Sequence, residues 1–329
     1  MSAPAEAPQS QRARKRWRAL ALSILLAVAL YLGMSLWASW AAVSEAVSHT
    51  PGWAIPALLA LSLTGFTLRF VRWQGYLHLL GHRVPPGRSL RIYMAGFALT
   101  TTPGKAGEAA RSIFLKPFGV SYPESIGLFL AERLLDVIAM LLLCALGAWS
   151  HPQARLLTLG LALFSAALIV LLNPRLMRKL AALVQRWSSE AVRRIAHSVT
   201  QTVIHFQRCF APGAFSRALL ISVLAWSCEG VGFWLIANLL GAQIGWAEGV
   251  FIYAFATLAG AVSFIPGGLG ATEAVMVGLL TLSGAPEGTA VAATLIARSA
   301  TLWFCVALGL SAAWSERGAL FGAPSRPAA

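Results

Sequence analysis

Acidic residues are scarce in this chain. Only 12 Asp and Glu stand against 26 Lys and Arg, for a formal net charge of +14, and charged residues make up 12% of the 329 positions. With 57% apolar residues gathered into long uncharged runs, the sequence has no stretch from which a separate soluble domain would be built. It reads as a polytopic membrane protein. The excess positive charge does not point to nucleic acid, because the basic residues sit at the ends of apolar runs, where they set orientation and meet anionic lipid. Cysteine is scarce too: Cys144, Cys209, Cys228 and Cys305 have no Cys-x-x-Cys spacing, so neither a disulfide framework nor a zinc site is expected. His78 and His82 are four apart but have no acidic partner nearby in the sequence, which argues against a metal site. No phosphate-binding P-loop and no Gly-x-Ser-x-Gly elbow occur, and GGLGATE at Gly267–Glu273 lacks the strand–turn–helix setting of a dinucleotide site. No cofactor is expected.

What the chain does have is a repeated interruption of apolar sequence. Phe264–Leu280 (FIPGGLGATEAVMVGLL) is a Pro-Gly-Gly break between two apolar runs, with Pro266, Gly267, Gly268 and Gly270 followed by Glu273. Thr101–Leu115 (TTPGKAGEAARSIFL) has the same parts in Pro103, Gly104, Gly107 and Glu108. Each is followed by an apolar segment holding an Arg, in ERLLD at Glu132–Asp136 and in ARSAT at Ala297–Thr301. Two broken apolar segments at corresponding places in two halves point to a membrane binding site.

Along the chain, 1–18 is a basic N-terminal tail whose Arg12, Arg14, Lys15, Arg16 and Arg18 precede the uncharged run Ala19–Ser44. That run is too long for the apolar part of a cleavable signal and reads as a retained first span. A second span covers about Pro51–Leu68, and positive-inside bias puts the five Arg of Arg69–Arg91 in the cytoplasm. Residues 92–115 read as a re-entrant hairpin, since non-helical backbone at depth is tolerated only where it is buried in protein or lines a cavity. A third span follows at about Glu124–Trp149 and a fourth at Leu156–Asn173, completing a first membrane half at 19–173. Residues 174–217, with eight basic residues against Glu190 alone, form a connector. There Leu176, Leu180, Leu183, Val184 and Trp187 recur at helical spacing, so a basic amphipathic helix lying on anionic lipid at the cytoplasmic surface is expected, with a solvated connector as the alternative. The second half, 218–314, contains a fifth span with Glu229 near its middle, a second hairpin at 249–282 and a sixth span with Arg298. Residues 315–329 are a cytoplasmic tail.

The expected fold is therefore all-α: about six full spans plus two oppositely oriented re-entrant hairpins in an inverted repeat, with both termini cytoplasmic. Charges in hydrocarbon are costly and normally face a bundle interior or a watery cavity in mutual pairs. Lys105, Glu108 and Arg111 are three apart on one helical face, and Glu132 and Asp136 are four apart with Arg133 beside them. Glu229, Glu273 and Arg298 supply the second half. The plainer reading of such a set is ion pairs that tie helices together. The functional reading rests on arginine, which stays charged when desolvated and grips phosphate through two parallel hydrogen bonds. Arg133 and Arg298 would meet a lipid phosphate from two sides, and the backbone N–H groups at the half-helix starts would add to the attraction.

These motifs carry a resemblance. RFVRW at Arg69–Trp73, TPGKAGEAAR at Thr102–Arg111, AERLLD at Ala131–Asp136 and IPGGLGATE at Ile265–Glu273 are similar to the lysylphosphatidylglycerol synthase transmembrane region, the flippase-like domain family, from about Leu20 to Trp314. The resemblance implies a bacterial inner-membrane protein that moves a polar-headgroup lipid, since the family includes the part of a bacterial aminoacyl-phosphatidylglycerol protein that carries the modified lipid across, and stand-alone relatives linked to glycolipid, hopanoid or envelope-lipid handling. The sequence stops at Ala329 with no soluble aminoacyl-transferase domain, so lysyl transfer is not expected, and Lys105 stands where the family more often has a small or apolar residue. With no nucleotide-binding motif, transport would run down a gradient or be coupled to protons through Glu132, Asp136 or Glu229. The alternatives are an intramembrane lipid-phosphate phosphatase or transferase, for which no nucleophile beside a base is evident, and an accessory lipid-binding protein.

Overall fold

The computed structural model describes residues 50–102, 108–147 and 189–315, with isolated positions between 44 and 179. The expected first and fourth spans (19–44 and 156–173), the N-terminal tail, Pro103, Gly104, Lys105 and Gly107, and residues 316–329 fall outside these continuous segments. Every regular element among the described residues is helical.

Helix α1, Ala54–Leu79, has 26 residues, and at 1.5 Å per residue it is about 39 Å long, more than the hydrocarbon thickness of a bilayer. It ends in a glycine-capped turn: Gly81 has φ 91°, and the N–H of His82 donates to the carbonyl of Leu77 at 2.9 Å. Helix α2, Pro86–Phe97, begins with its proline in the first turn, where a missing N–H costs nothing. The break follows, then α3, Arg111–Leu115, and α4, Tyr122–Gly147. Helix α5 is Glu190–Arg208. Helix α6, Pro212–Leu239, ends as α1 does, with Gly241 at φ 93° and the N–H of Ala242 donating to the carbonyl of Ala237 at 2.9 Å. Helix α7, Trp246–Val262, leads to the second break and to α8, Ala271–Leu282. Helix α9, Glu287–Arg298, continues through a wide π turn at Ser299–Trp303 into α10, Phe304–Ser315. Three of these lengths, Ala54–Leu79, Pro212–Leu239 and Glu287–Ser315, are long and apolar enough to cross a membrane.

The succession of helix, glycine turn, helix, Pro-Gly break and helix thus occurs twice. Gly81 and Gly241, and Tyr93 and Tyr253, are 160 positions apart; after the breaks, Glu108 and Glu273, and Arg133 and Arg298, are 165 apart. Packing follows the same pairing. Helix α1 lies on α6, α2 lies on α10, and α4 lies on α7, so the helix before each break packs on a long helix that follows the other break. Arg72 of α1 meets Ser222 of α6, Gly65 meets Ala225, and Leu61 meets Gly232; the numbers fall on one helix as they rise on the other, so α1 and α6 run antiparallel.

Four expectations about bounds change. Helix α1 does not stop near Leu68 with Arg69 and Arg72 in a loop; it runs on to Leu79, and those arginines are 7% and 2% exposed. They stay inside because other helices supply carboxylates, which local charge patterning does not register. The first broken segment begins at Pro86 rather than residue 92, and the second at Trp246 rather than 249. Residues 212–217, assigned to the connector, form the first turns of α6.

Two apolar clusters make the core. One gathers α6 to α9 with the C-terminal part of α4; the other gathers α1, α2, α4, α5 and α10. The approach of α10 to α2 is closest at Gly309, where a Cβ would lie 2.1 Å from the backbone N of Ala98. Gly309→Val should therefore cost about 1–3 kcal/mol of overpacking strain. Gly278→Ala, at a helical site with nothing within 4 Å, should be neutral or stabilise by up to about 1 kcal/mol. Thermal unfolding in detergent compares the two, and equal melting temperatures would contradict the packing described.

Candidate functional site

The two clusters do not close against each other. Phe66, Phe97 and Cys305 of one and Met140, Trp226 and Tyr253 of the other line a cavity of about 230 Å³ between the halves. Charged groups from both halves share its wall: Arg69, Glu108, Arg133, Asp136, Glu229 and Arg298.

Arg69 on α1 and Glu229 on α6 form an ion pair across the helix–helix contact. They are 160 positions apart, so equivalent places in the two halves carry opposite charges and face each other. The Tyr253 hydroxyl donates to Glu229 at 2.5 Å, and the Arg69 guanidinium stacks 4.5 Å from the Trp226 ring. One turn on, Arg72 donates to Asp136 at 2.6 Å and lies 3.5 Å from Glu132. Trp226 donates its indole N–H to Asp136 at 3.2 Å. Arg111, at the start of α3, reaches Glu132 at 3.0 Å and Glu108 at 3.5 Å, with its guanidinium 4.5 Å from the Trp73 ring.

Each half also holds a Glu and an Arg 25 residues apart, the Glu just after the Pro-Gly sequence and the Arg in the second helix that follows it, and both pairs meet. They meet differently. Arg298 donates Nε to Glu273 at 2.6 Å and an Nη to the Gly267 carbonyl at 2.8 Å. Arg133 reaches Asp136 on its own helix at 3.0 Å and Glu108 at 3.7 Å, while its Nε is buried with no hydrogen-bond acceptor. The Thr100 hydroxyl donates to Glu108 at 2.5 Å.

Backbone shape explains why the second break holds its place. Phe264, Gly267, Gly268 and Gly270 all have positive φ, at 54°, 65°, 65° and 82°. Glycine adopts such conformations without penalty, whereas Phe264 is strained there. The Gly270 N–H donates to Glu273 Oε2 at 2.7 Å, so the α8 N-terminus is capped by its own third residue. Among the N–H groups after Pro266-Gly267, where the sequence suggests anion affinity, that of Gly270 thus meets a carboxylate from the same helix.

Of the residues expected from the sequence, the structure brings Glu108, Arg111, Glu132, Arg133, Asp136, Glu229, Glu273 and Arg298 into this one region, all buried except the half-buried Arg133. Arg69, Arg72, Tyr93 and Tyr253 belong to it as well and were not expected. The eight expected residues that the structure describes hold three positive and five negative charges, and Arg69 and Arg72 add two positive charges beside them. His82 also differs from expectation. Its Nε2 lies 3.3 Å from Glu124 Oε1, because α4 begins beside the glycine turn that ends α1.

Removing one member of a buried pair strands the other. Arg69→Met should destabilise by about 3–5 kcal/mol, and so should Glu229→Leu, whereas the double variant should cost less than the two together. A double-mutant cycle by thermal unfolding checks this; additive losses would contradict the pairing.

Comparison with known proteins agrees with the motifs. The family model of the lysylphosphatidylglycerol synthase transmembrane region matches residues 22–309. A UPF0104 membrane protein of Methanothermobacter thermautotrophicus is 27% identical over 314 residues, covering 90% of this chain and 92% of the relative. Another from Pyrococcus horikoshii is 24% identical over 270 residues, covering 73% and 80%. This multi-pass membrane protein belongs to the family of the lysylphosphatidylglycerol synthase transmembrane region.

Proposed function

We propose that this protein moves a polar-headgroup lipid across the bacterial inner membrane, with the headgroup passing through the cavity and the acyl chains remaining in the bilayer. The observation that carries the reading is a cavity between the two halves whose largely apolar wall carries charged groups from both. Antiparallel α1 and α6, together with the 160-position correspondence, favour an inverted repeat in which the two broken segments are re-entrant hairpins entering from opposite faces. Such halves exchange access by rocking about the fixed site between them. Gly267 of the second break lies close to Thr101 beside the first, so movement at one break is felt at the other. The exposed Val192, Ile195 and Val199 of α5, flanked by the exposed Arg193 and Arg194, suit a helix resting on the anionic lipid of the cytoplasmic leaflet.

The test uses purified protein in vesicles carrying headgroup-labelled lipids. Protein-dependent translocation of at least one of them is expected, and Thr257→Trp, which fills the cavity from α7, should slow it by about tenfold or more while the protein stays folded. Translocation undiminished in that variant would remove the cavity from the path.

A further inference from the structure

The two Glu–Arg pairs occupy equivalent places, yet they are not equivalent in what they leave available. Arg298 is fully engaged on one edge. Its Nε and one Nη hold Glu273 and the Gly267 carbonyl, tying α9 to the second break, and its side chain is 7% exposed. Arg133 is the more open partner at 23%; one Nη lies 3.0 Å from Asp136, its contact with Glu108 is 3.7 Å, too long for a hydrogen bond, and its buried Nε lacks an acceptor. A buried donor left without a partner is unfavourable, and an arriving acceptor relieves that cost.

Glu108 is also the carboxylate that can leave. Without Arg133 it still has Arg111 at 3.5 Å and the Thr100 hydroxyl at 2.5 Å, so its charge stays compensated. Glu273 has no such freedom, because it caps α8 and anchors Arg298 at once. The planar guanidinium presents a pair of parallel donors, which matches two oxygens of a phosphate and neither a hydroxyl nor an ammonium group.

We propose that Arg133, and not its counterpart Arg298, is the anion-gripping residue of the cavity. It takes two phosphate oxygens of a lipid headgroup in place of Glu108, while Arg298 remains the buttress of the second break. This rests on the translocation reading above and names the chemical class of its substrate: a lipid whose headgroup begins with a phosphate. The first half supplies the grip and the second half the rigid wall.

The experiment measures binding to the purified full-length protein in uncharged detergent by calorimetry, with three probes. These are short-chain phosphatidic acid, diacylglycerol with the same chains, and inorganic phosphate. Phosphatidic acid should bind at least about tenfold more tightly than diacylglycerol. R133K should lose about tenfold in affinity or more, since a point-charge ammonium replaces the fork. E108Q should bind more tightly than wild type, because a competing carboxylate is gone; a merely structural role for Glu108 predicts no gain. R298K should act chiefly by lowering the melting temperature, with a smaller affinity loss than R133K. An E108Q affinity equal to or below wild type, or a larger loss in R298K than in R133K, overturns the assignment. Equal binding of phosphatidic acid and diacylglycerol overturns the phosphate subsite but leaves the translocation reading standing. Arg133-dependent binding of inorganic phosphate without binding of phosphatidic acid overturns the lipid as the source of the anion. Arg133-dependent binding of phosphatidic acid in a protein that translocates no lipid sinks the transport reading and keeps the subsite.

Discussion

Burying an ionised group in a membrane bundle is costly unless another charge meets it, and among the described residues nine buried charged side chains and the half-buried Arg133 meet in one region. Arg69, Arg72, Arg111, Arg133 and Arg298 stand against Glu108, Glu132, Asp136, Glu229 and Glu273. The charges cancel. That balance sets much of the rest of the structure. It requires α1, α4, α6 and the two breaks to converge, because no single helix carries both signs in the needed numbers. It also places charged groups on the wall of the space between the two apolar clusters, and several of their atoms lack hydrogen-bond partners.

Two similar successions of helix, glycine turn and helix frame this network. Equivalent places in two similar halves would ordinarily carry like residues, and Tyr93 and Tyr253 do, both lining the cavity. Arg69 and Glu229 do not. Two arginines or two glutamates facing each other there would repel in a low-dielectric setting, whereas one of each sign ties the halves together at their antiparallel contact. A similar departure separates Arg298, locked by the second break, from Arg133.

Much of this was legible in the sequence. The Pro-Gly breaks, the glutamates beside them and the arginines after them are rare enough in apolar runs to stand out, and eight of those charged residues meet as their pattern suggested. The arginines of RFVRW were not legible as buried. They precede Trp73 and an arginine-rich loop, which is the usual look of a membrane boundary, and only their partners on α4 and α6 hold them inside. The engagement of the α8 N-terminus by Glu273 was hidden as well, since an acidic residue three places into a helix serves as a cap or as a cavity wall with the same letters. Helix ends followed turn chemistry, with Gly81, Gly241 and proline at Pro86 and Pro212 marking bounds that hydropathy placed several residues away. The shift came from apolar averaging over windows, which blurs a turn that one glycine fixes.

The central claim is that the charge-balanced cavity is a passage reached in turn from either face of the membrane. Thr257 lines it from α7, so a cysteine placed there, with the four native cysteines replaced, reports on access. Membrane-impermeant thiol reagents applied separately to each side of oriented vesicles give the direct measurement. The account predicts modification from both sides. Modification from one side alone, under all conditions that leave the protein folded, would make the cavity a dead-end binding pocket and contradict it.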